Sequence, residues 1–350
     1  VSGTPYRRAL ARARRRTRSQ KGVLPMPSAR LSLAAWRGVL GDDPTVEPSP
    51  HRKTLQLVTS ATGPRYYLKR MGRWRNGASL ADEFRVLCHL RAAGLPVAVP
   101  EIADDGRLWT GAADDTTILL PERPGAQIDH EAEPDAERIC TRIGATIARL
   151  HRGLASYPHA LTTSYHHDMD LGEGKKYSPP DLWDETAGPL RDRIEPLLAG
   201  LPEQLISGDL NSGNLLLARG SDGWEVTGVI DIDHLPTGPR LYDLAYYLSR
   251  QARFASGSAE HGERFLELVP RYVAGYRDVY PLTDRELAAL PAAMVTAELG
   301  CTGWSQRLLD GVYGHDNDGQ NAADVEVGSA GVRWLCASYD QLVAAVRSVA

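Results

Sequence analysis

Residues 205–233 read LISGDLNSGNLLLARGSDGWEVTGVIDID, and they give the strongest indication of the fold of the chain. They contain two apolar runs bordered by acidic and amide side chains. Asp209 and Asn214 are five positions apart, and Asp231 follows Asn214 by 17 positions, after the second apolar run. The turn sequence Gly-Ser-Asp-Gly at residues 220–223 predicts that the two runs pair as short strands. Such a hairpin would bring Asp209 and Asn214 next to Asp231.

These side chains have the chemistry of a phosphoryl-transfer site. Transfer of a phosphoryl group depends mainly on positioning and on neutralising phosphate charge, and Mg²⁺ takes oxygen ligands. In the kinase pattern, an Asp deprotonates the attacking hydroxyl, an Asn five residues later holds a metal ion, and an Asp after the next strand holds Mg²⁺. These roles predict Asp209 as the catalytic base and Asn214 and Asp231 as metal ligands. Asp233 is a second candidate ligand, because it points the same way as Asp231 in an extended segment.

A structural interpretation of the same stretch is an N-capping Asp and two loop acids on a solvated hairpin. The Asp-x-x-x-x-Asn spacing alone is common by chance. The acid at the end of the following strand and a further acid, Asp243, favour the kinase interpretation over this alternative.

The chain resembles the aminoglycoside phosphotransferase and choline kinase-like family, over roughly residues 50–345 and most closely over 205–248. The family loop usually reads His-Gly-Asp-x-x-x-x-Asn, and residues 207–214 read Ser-Gly-Asp-Leu-Asn-Ser-Gly-Asn. Ser207 therefore stands where the family usually has a His, which is expected to brace the loop rather than do chemistry. The resemblance also implies that Asp243 is a buried acid that braces the catalytic loop.

The resemblance implies a two-lobed, protein-kinase-like α+β fold. We expect a β-rich, nucleotide-binding N-lobe over residues 29–122 and a mostly helical C-lobe over residues 123–350. The C-lobe would carry the catalytic loop, the metal site and the acceptor-binding helices. Residues 1–28 predict a disordered basic arm. A transit peptide, a nucleic-acid or membrane-surface tail, and an upstream extension before a start at Met26 are the alternatives.

In the N-lobe, the kinase pattern places a strand Lys at the nucleotide phosphates and pairs it with a Glu on the following helix. Lys69 fits the first role, because it lies in the strand-like run 66–70. Glu83 fits the second, in a helix predicted over residues 79–90 with the first residue as its N-cap. Asp82 is the competing choice, and a surface ion pair is the structural alternative.

The connection between the lobes is predicted just after a strand over residues 116–120. It reads Pro-Glu-Arg-Pro-Gly at residues 121–125, and in kinase-like folds the backbone of such a turn binds adenine. Glu122 and Arg123 are therefore predicted cofactor-binding residues. The usual glycine-rich phosphate loop is absent from residues 48–53, whose polar side chains fit phosphate contacts and a solvated turn equally well.

Three further segments lie in the predicted C-lobe. Residues 135–152 predict a helix with an apolar face, and His151 near its end predicts a structural role. Residues 156–180 are polar and irregular, and in the family this region can border the acceptor pocket. From residue 262 onwards the pattern is helical, which predicts a helical wall beside the acceptor.

Composition and charge narrow the class of protein. The chain has 350 residues, of which 42% are hydrophobic and 24% charged, as expected of a soluble globular protein with two lobes. No apolar run approaches the roughly 18 residues of a membrane span. Four scattered cysteines without Cys-x-x-Cys spacing fit a reducing cytosol. We therefore predict a cytoplasmic protein with no membrane partner.

The net charge of −4 conceals an asymmetry. Residues 1–21 hold eight of the 40 Lys and Arg residues and no acid, so the remainder carries 32 basic and 44 acidic residues, a net charge of −12. An acidic body argues against nucleic acid as the main partner.

The function predicted is ATP- and Mg²⁺-dependent transfer of the γ-phosphate to a hydroxyl of a small polar molecule, such as an antibiotic, an amino sugar or a related metabolite. The alternatives are a Ser/Thr peptide kinase of the same fold and a pseudokinase or nucleotide-binding module. We expect a monomer or a weak homodimer.

Charge is the only guide to the acceptor. A cationic acceptor calls for convergent carboxylates, and a choline-like acceptor calls for an aromatic cage. The candidate residues are Asp168, Asp170, Glu173, Glu298 and Asp310 for the carboxylates, and Trp183, Tyr246 and Trp304 for the cage.

Overall fold

The structure is a computed structural model, and it describes residues 33–49, 55–71, 77–111, 116–312 and 318–349. Two predictions, the basic arm over residues 1–28 and the phosphate contacts at residues 51–53, lie outside the described residues. None of the helices in the described ranges is long and apolar enough to cross a membrane.

A four-stranded antiparallel sheet forms the small lobe, with its strands in chain order from edge to edge. The strands are Thr45–Pro48 (β1), Leu55–Thr59 (β2), Arg65–Arg70 (β3) and Thr117–Pro121 (β4).

The larger apolar cluster of this lobe lies on one face of the sheet. Leu68 of β3 is buried there with Trp36, Val58 and Leu119. Successive side chains of a strand point to opposite faces, so the next residue, Lys69, points away from this core. The alternation along β3 therefore directs the lysine to the other side of the sheet.

The helix α1, Gly77–Ala92, contacts both lobes. It begins before Ser79, so this residue lies in the first turn and the predicted N-cap position is wrong. Leu80 packs with apolar side chains of the small lobe. Leu87 and Leu90, two to three turns later, belong to the core of the large lobe.

Asp82 attaches α1 to the large lobe. Its carboxylate is 2% exposed and accepts hydrogen bonds from the backbone N–H groups of Thr162, at 2.7 Å, and Thr163, at 3.1 Å. One ring nitrogen of His89 lies 3.1 Å from the carbonyl oxygen of Gly153. Polar contacts as well as apolar packing therefore hold α1 against the large lobe.

The large lobe is mostly helical, as predicted. Its helices are Ala136–Ala155 (α2), Leu171–Tyr177 (α3), Gly188–Leu198 (α4), Leu241–Ala255 (α5), Ala259–Val279 (α6), Asp284–Leu309 (α7), Asp318–Ala337 (α8) and Tyr339–Arg347 (α9).

Helix α3 corrects the prediction that residues 156–180 are irregular throughout. The side chain of Asp170 accepts hydrogen bonds from the backbone N–H groups of Gly172, at 2.6 Å, and Glu173, at 3.3 Å. These bonds satisfy N–H groups that the first helical turn leaves without partners. Asp170 thus starts a short helix in a segment whose glycines weaken the helical signal.

Helices α2 and α6 approach each other closely at two glycines. A Cβ atom at Gly144 would lie 2.0 Å from the carbonyl oxygen of Tyr272, and one at Gly275 would lie 2.0 Å from that of Thr141. A larger residue at either position would push the backbones apart. The close approach fixes α2, which carries His151 towards the catalytic loop.

Two small strand pairs carry the segments predicted to hold the functional residues. Glu203–Leu205 (β5) pairs antiparallel with Thr237–Pro239 (β8). Leu215–Gly220 (β6) pairs antiparallel with Gly223–Val229 (β7).

The hairpin of β6 and β7 confirms the turn predicted from sequence, because Gly220 lies opposite Gly223. At the open end of the hairpin, the backbone N–H of Ile230 donates to the carbonyl oxygen of Asn214 at 2.9 Å. The hairpin therefore places Asn214 next to the segment that begins at Asp231.

The chain passes from the small lobe to the large lobe just after β4. Ala126 exchanges two backbone hydrogen bonds of 2.9 Å with Leu217 of β6, so the chain has reached the large lobe at that point. The lobe boundary between residues 122 and 123 stays a prediction.

Candidate active site

Asp209 lies on the loop between β5 and β6. Its Oδ1 accepts hydrogen bonds from the hydroxyl of Tyr246, at 2.9 Å, and from Nδ2 of Asn211, at 3.2 Å. Burial raises the pKa of Asp209, whereas the hydrogen bond from Tyr246 and the charges of His234 and Arg250 lower it, and the net shift is upward. The carboxylate is therefore a stronger base than an exposed one and is held in one orientation.

Asp243 holds the loop of Asp209 from behind. It is fully buried, and its two carboxylate oxygens accept hydrogen bonds from the backbone N–H groups of Ser207, at 2.7 Å, and Gly208, at 2.9 Å. Nε2 of His151 lies 3.0 Å from the same carboxylate. The bracing role implied for Asp243 is confirmed by these contacts.

His151 brings an imidazole to this brace from helix α2. It is fully buried, and its Nδ1 lies 2.7 Å from the hydroxyl oxygen of Tyr276. The structural role predicted for His151 is confirmed. Ser207 carries no imidazole, yet the loop is still braced through Asp243 by a histidine from another element.

Gly208 is required by the shape of the loop. Its φ of 82° lies in the left-handed region that favours glycine. A Cβ atom there would lie 2.8 Å from Cδ of Pro236. The tight turn just before Asp209 therefore depends on the absence of a side chain at this position.

The structure brings Asp231 and Asp233 together around the ammonium group of Lys69. Nζ of Lys69 lies 2.8 Å from Oδ1 of Asp231 and 3.5 Å from Oδ2 of Asp233. A cation thus lies beside both acids in this structure. Because carboxylate oxygens are the ligands that Mg²⁺ prefers, the two acids fit a divalent metal ion as well.

Asn214 links the catalytic loop to this cluster. Its side chain is buried, and its Nδ2 donates to the backbone carbonyl of Asp209 at 2.7 Å. With the amide nitrogen used in this way, Oδ1 is the atom of the side chain that suits a metal ion.

The segment from Asp231 to Leu235 has an unusual backbone. The φ of Asp231 is 56° and that of Leu235 is 47°, both in the left-handed region. Non-glycine residues adopt this conformation at a cost of about 1 kcal/mol or more. One of these two strained positions is the acid that contacts Lys69 most closely.

Among the described residues, Lys69 forms ion pairs with Asp231 and Asp233 and not with the predicted partner, Glu83. Glu83 is 6% exposed on α1. Asp82, the competing choice, is engaged with the backbone of the large lobe. The assignment of Glu83 to the nucleotide site stays a prediction.

Glu122 and Arg123 lie at the connection between the lobes, as predicted. A carboxylate oxygen of Glu122 lies 3.3 Å from Nε of Arg65, and Nη2 of Arg123 donates to the carbonyl of Thr227 at 3.2 Å. These contacts join the connection to β3 and to β7. A role of either residue in cofactor binding stays a prediction.

Sequence reasoning missed Asn211 and Arg250 near Asp209, and it predicted Tyr246 for an aromatic cage instead of the hydrogen bond that its hydroxyl donates to Asp209. Tyr246 and Arg250 follow Asp243 by three and seven positions, so Asp243, Tyr246 and Arg250 share one face of α5. This spacing was the available signal once Asp243 had been assigned to the loop.

The carboxylates proposed for a cationic acceptor have other partners. Asp170 starts α3, and Asp168 lies 2.9 Å from Nδ1 of His166 at the surface. Glu298 is fully buried in an ion pair with Arg253. These three acids do not supply free negative charge beside Asp209.

Comparison with known proteins agrees with this geometry. Residues 51–291 match the phosphotransferase enzyme family APH. The homoserine kinase of Neisseria meningitidis serogroup B is 31% identical over 227 residues, which cover 63% of this chain and 69% of that protein.

Two solved structures share the fold. A microcompartment-associated aminopropanol kinase has a TM-score of 0.62 at 19% identity, and the match covers 91% of this chain and 97% of that one. Amicoumacin kinase in complex with AMP-PNP, Ca²⁺ and Ami has a TM-score of 0.59 at 17% identity, covering 81% and 87%. They confirm the predicted two-lobed, kinase-like α+β fold. Together with the match over residues 51–291, they lead to one conclusion: the chain belongs to the phosphotransferase enzyme family.

Proposed function

We propose that this protein transfers the γ-phosphate of ATP to a hydroxyl group of a small polar molecule. One observation carries the proposal: the carboxylate of Asp209, oriented by Tyr246, lies on the same loop as Asn214, which adjoins the cluster of Lys69 and Asp231. A proton acceptor and a phosphate-binding cluster are the two components that this reaction needs.

The nucleotide and its metal ion would be held by Lys69, Asn214, Asp231 and Asp233. Their oxygen donors fit Mg²⁺, and the ammonium of Lys69 already lies beside the acids. Bound Mg²⁺ supplies neutralisation of the phosphate charge and orientation of the transferred group. The similar amicoumacin kinase contains AMP-PNP and Ca²⁺, which supports a nucleotide bound with a divalent cation.

Asp209 would act on the acceptor. Its carboxylate accepts the proton of the hydroxyl as the hydroxyl oxygen bonds to the γ-phosphorus, and ADP leaves with the bridging oxygen. Tyr246 and Asn211 keep Oδ1 fixed during this step. The pKa of Asp209, raised by burial, suits proton transfer better than that of an exposed aspartate.

The similar proteins favour a small acceptor over the alternatives. Two of them, a homoserine kinase and an aminopropanol kinase, are named for small molecules that carry a hydroxyl and an amino group. A peptide kinase and a pseudokinase remain outcomes of the test below.

The test is incubation with ATP, Mg²⁺ and a panel of small alcohols and Ser- or Thr-containing peptides, read by the mass of added phosphate. We expect phosphate on a small alcohol. Asp209→Asn should lower kcat roughly 100- to 10,000-fold because the base is lost, while ATP affinity changes little. Asp340→Asn, at a residue whose side chain is 80% exposed, is the matched control and should retain activity.

Two results would contradict the proposal. One is an absence of nucleotide binding in any condition. The other is full turnover by Asp209→Asn, which would mean that another group takes the proton. Phosphate on peptides alone would support the peptide-kinase alternative.

A further inference from the structure

The face of α5 that carries Tyr246 continues to Arg250, one turn further. The hydroxyl of Tyr246 contacts Oδ1 of Asp209 at 2.9 Å and lies 4.0 Å from Sγ of Cys301. Nη1 of Arg250 lies 3.2 Å from the same sulfur. Three contacts therefore connect the catalytic carboxylate to the guanidinium of Arg250, which is half-buried at this side of the large lobe.

A second arginine lies behind the first. Arg253 is 2% exposed, pairs with the fully buried Glu298, and has its Nη2 3.4 Å from Sγ of Cys301. Its Nη1 has no hydrogen-bond partner among the described residues. Burying an ion pair is costly, so Glu298 is committed to neutralising Arg253 rather than an acceptor amine.

Arg307 adds positive charge along α7. Its Cζ lies 4.3 Å from the ring centre of Tyr177 and 5.6 Å from that of Trp304, which is 50% exposed. Arg307 follows Cys301 by six positions on the same helix. Helices α5 and α7 thus each carry a guanidinium group, at Arg250 and at Arg307, and a guanidinium binds an anionic group in preference to a cationic one.

We propose that the acceptor carries a carboxylate as well as a hydroxyl, and that Arg250 binds this carboxylate while Asp209 takes the proton of the hydroxyl. This proposal rests on the phosphotransferase function proposed above. A guanidinium presents two parallel N–H donors that match the two oxygens of a carboxylate. A hydroxy amino acid of a few carbons carries both of the groups that Asp209 and Arg250 would bind. A polycationic amino sugar would place ammonium groups against Arg250, which disfavours it.

The test uses pairs of acceptors that differ only by a carboxylate. The pairs are serine and ethanolamine, threonine and 1-aminopropan-2-ol, and homoserine and 3-aminopropan-1-ol. For the wild-type protein, kcat/KM should favour the carboxylated member of at least one pair by roughly 10- to 100-fold, the usual effect of a charge-assisted hydrogen bond. ADP release measured against each acceptor gives these values.

Arg250→Gln should remove this preference by lowering kcat/KM for the carboxylated acceptor while that for its partner changes little. Arg250→Lys keeps the charge without the planar pair of donors and should give an intermediate value. Arg191→Gln, at an exposed arginine on α4, is the matched control and should keep the preference. Binding of the carboxylated acceptor to Asp209→Asn, with and without Arg250→Gln, gives a readout independent of turnover.

The possible outcomes separate the two proposals. An equal loss for both members of a pair would assign Arg250 to the transferred phosphoryl group and overturn the carboxylate proposal. A preference for acceptors without a carboxylate would overturn it too, yet leave the phosphotransferase function standing. If phosphate were transferred to no alcohol, including the six acceptors of the three pairs, both the carboxylate proposal and the phosphotransferase function would be overturned.

Discussion

The loop of Asp209 and the segment of Asp231 lie next to each other, yet they are held in opposite ways. The first is braced from behind by the buried Asp243, which binds two backbone N–H groups and contacts His151. The second has left-handed backbone at Asp231 and at Leu235, and its carboxylates contact a lysine of the other lobe.

The difference follows from what each carboxylate is proposed to do. A base must keep one orientation towards the acceptor, and a buried, fully satisfied polar network provides that rigidity. The carboxylate of Asp231 contacts the Lys69 ammonium in this structure and is proposed to bind Mg²⁺ as well. Strained backbone is often found in segments that bind ligands. Substitutions at three positions test this contrast, in order of decreasing expected effect.

The largest effect is expected at Asp231. Asp231→Gly and Asp231→Asn should both abolish metal-dependent nucleotide binding, because each removes a carboxylate ligand. Glycine relieves the left-handed strain better than asparagine does, so the Gly variant should be more stable than the Asn variant by about 1 kcal/mol. Calorimetric titration with Mg²⁺ and a non-hydrolysable ATP analogue measures binding, and urea unfolding measures stability.

The Asn variant serves as the control for loss of charge, since both variants lose the ion pair with Lys69. Equal stability of the two variants would show that the backbone at this position is not strained. Metal-dependent nucleotide binding by either variant would exclude the proposed ligand role of Asp231.

The second effect is expected at Asp243. Asp243→Asn replaces one acceptor oxygen by a donor that faces the backbone N–H of Ser207 or Gly208. Leaving a buried donor without an acceptor costs roughly 1–3 kcal/mol of unfolding free energy, and the displaced loop should lower kcat roughly 10-fold or more. Thermal unfolding and steady-state kinetics measure the two quantities.

Asp340→Asn is the matched control, because the ion pair of Asp340 with Arg193 is exposed and contributes little. If Asp243→Asn changed neither stability nor kcat, the brace would not be what holds the loop.

The smallest effect is expected at Tyr246. The hydrogen bond from its hydroxyl lowers the pKa of Asp209, so Tyr246→Phe should raise that pKa further. Because the base works in its ionised form, kcat/KM of the variant should fall off at a higher pH than that of the wild type. The deficit should be largest at low pH and smallest at neutral pH. A pH profile with an unchanged acidic limb would show that this hydrogen bond does not tune the base.

The positions of Asp209, Asn214 and Asp231 were predictable from sequence because they are close along the chain. The turn between Gly220 and Gly223 is a local signal, and antiparallel pairing then determines which residues meet at the open end of the hairpin. The assignment of Lys69 to a strand was likewise local, because it rested on the strand-like run at residues 66–70.

The contacts of Tyr246, Arg250 and His151 were not predictable in this way. Tyr246 is 37 positions from Asp209, and His151 is 92 positions from Asp243, so each contact depends on how helices cross. Lys69 is a further example, because its ion-pair partner Asp231 lies 162 positions away along the chain and is not the expected Glu83. Helix α3 escaped prediction for another reason, because its propensity is weak and its start depends on capping bonds.

The bonds of Asp82 have a mechanical consequence. Since they fasten α1 to the backbone at residues 162–163, a helix that precedes β4 along the chain is held by the large lobe. Glu83 lies on this helix, whereas Lys69 lies in the sheet. A change in the distance between these two side chains would therefore report a movement of the sheet relative to α1.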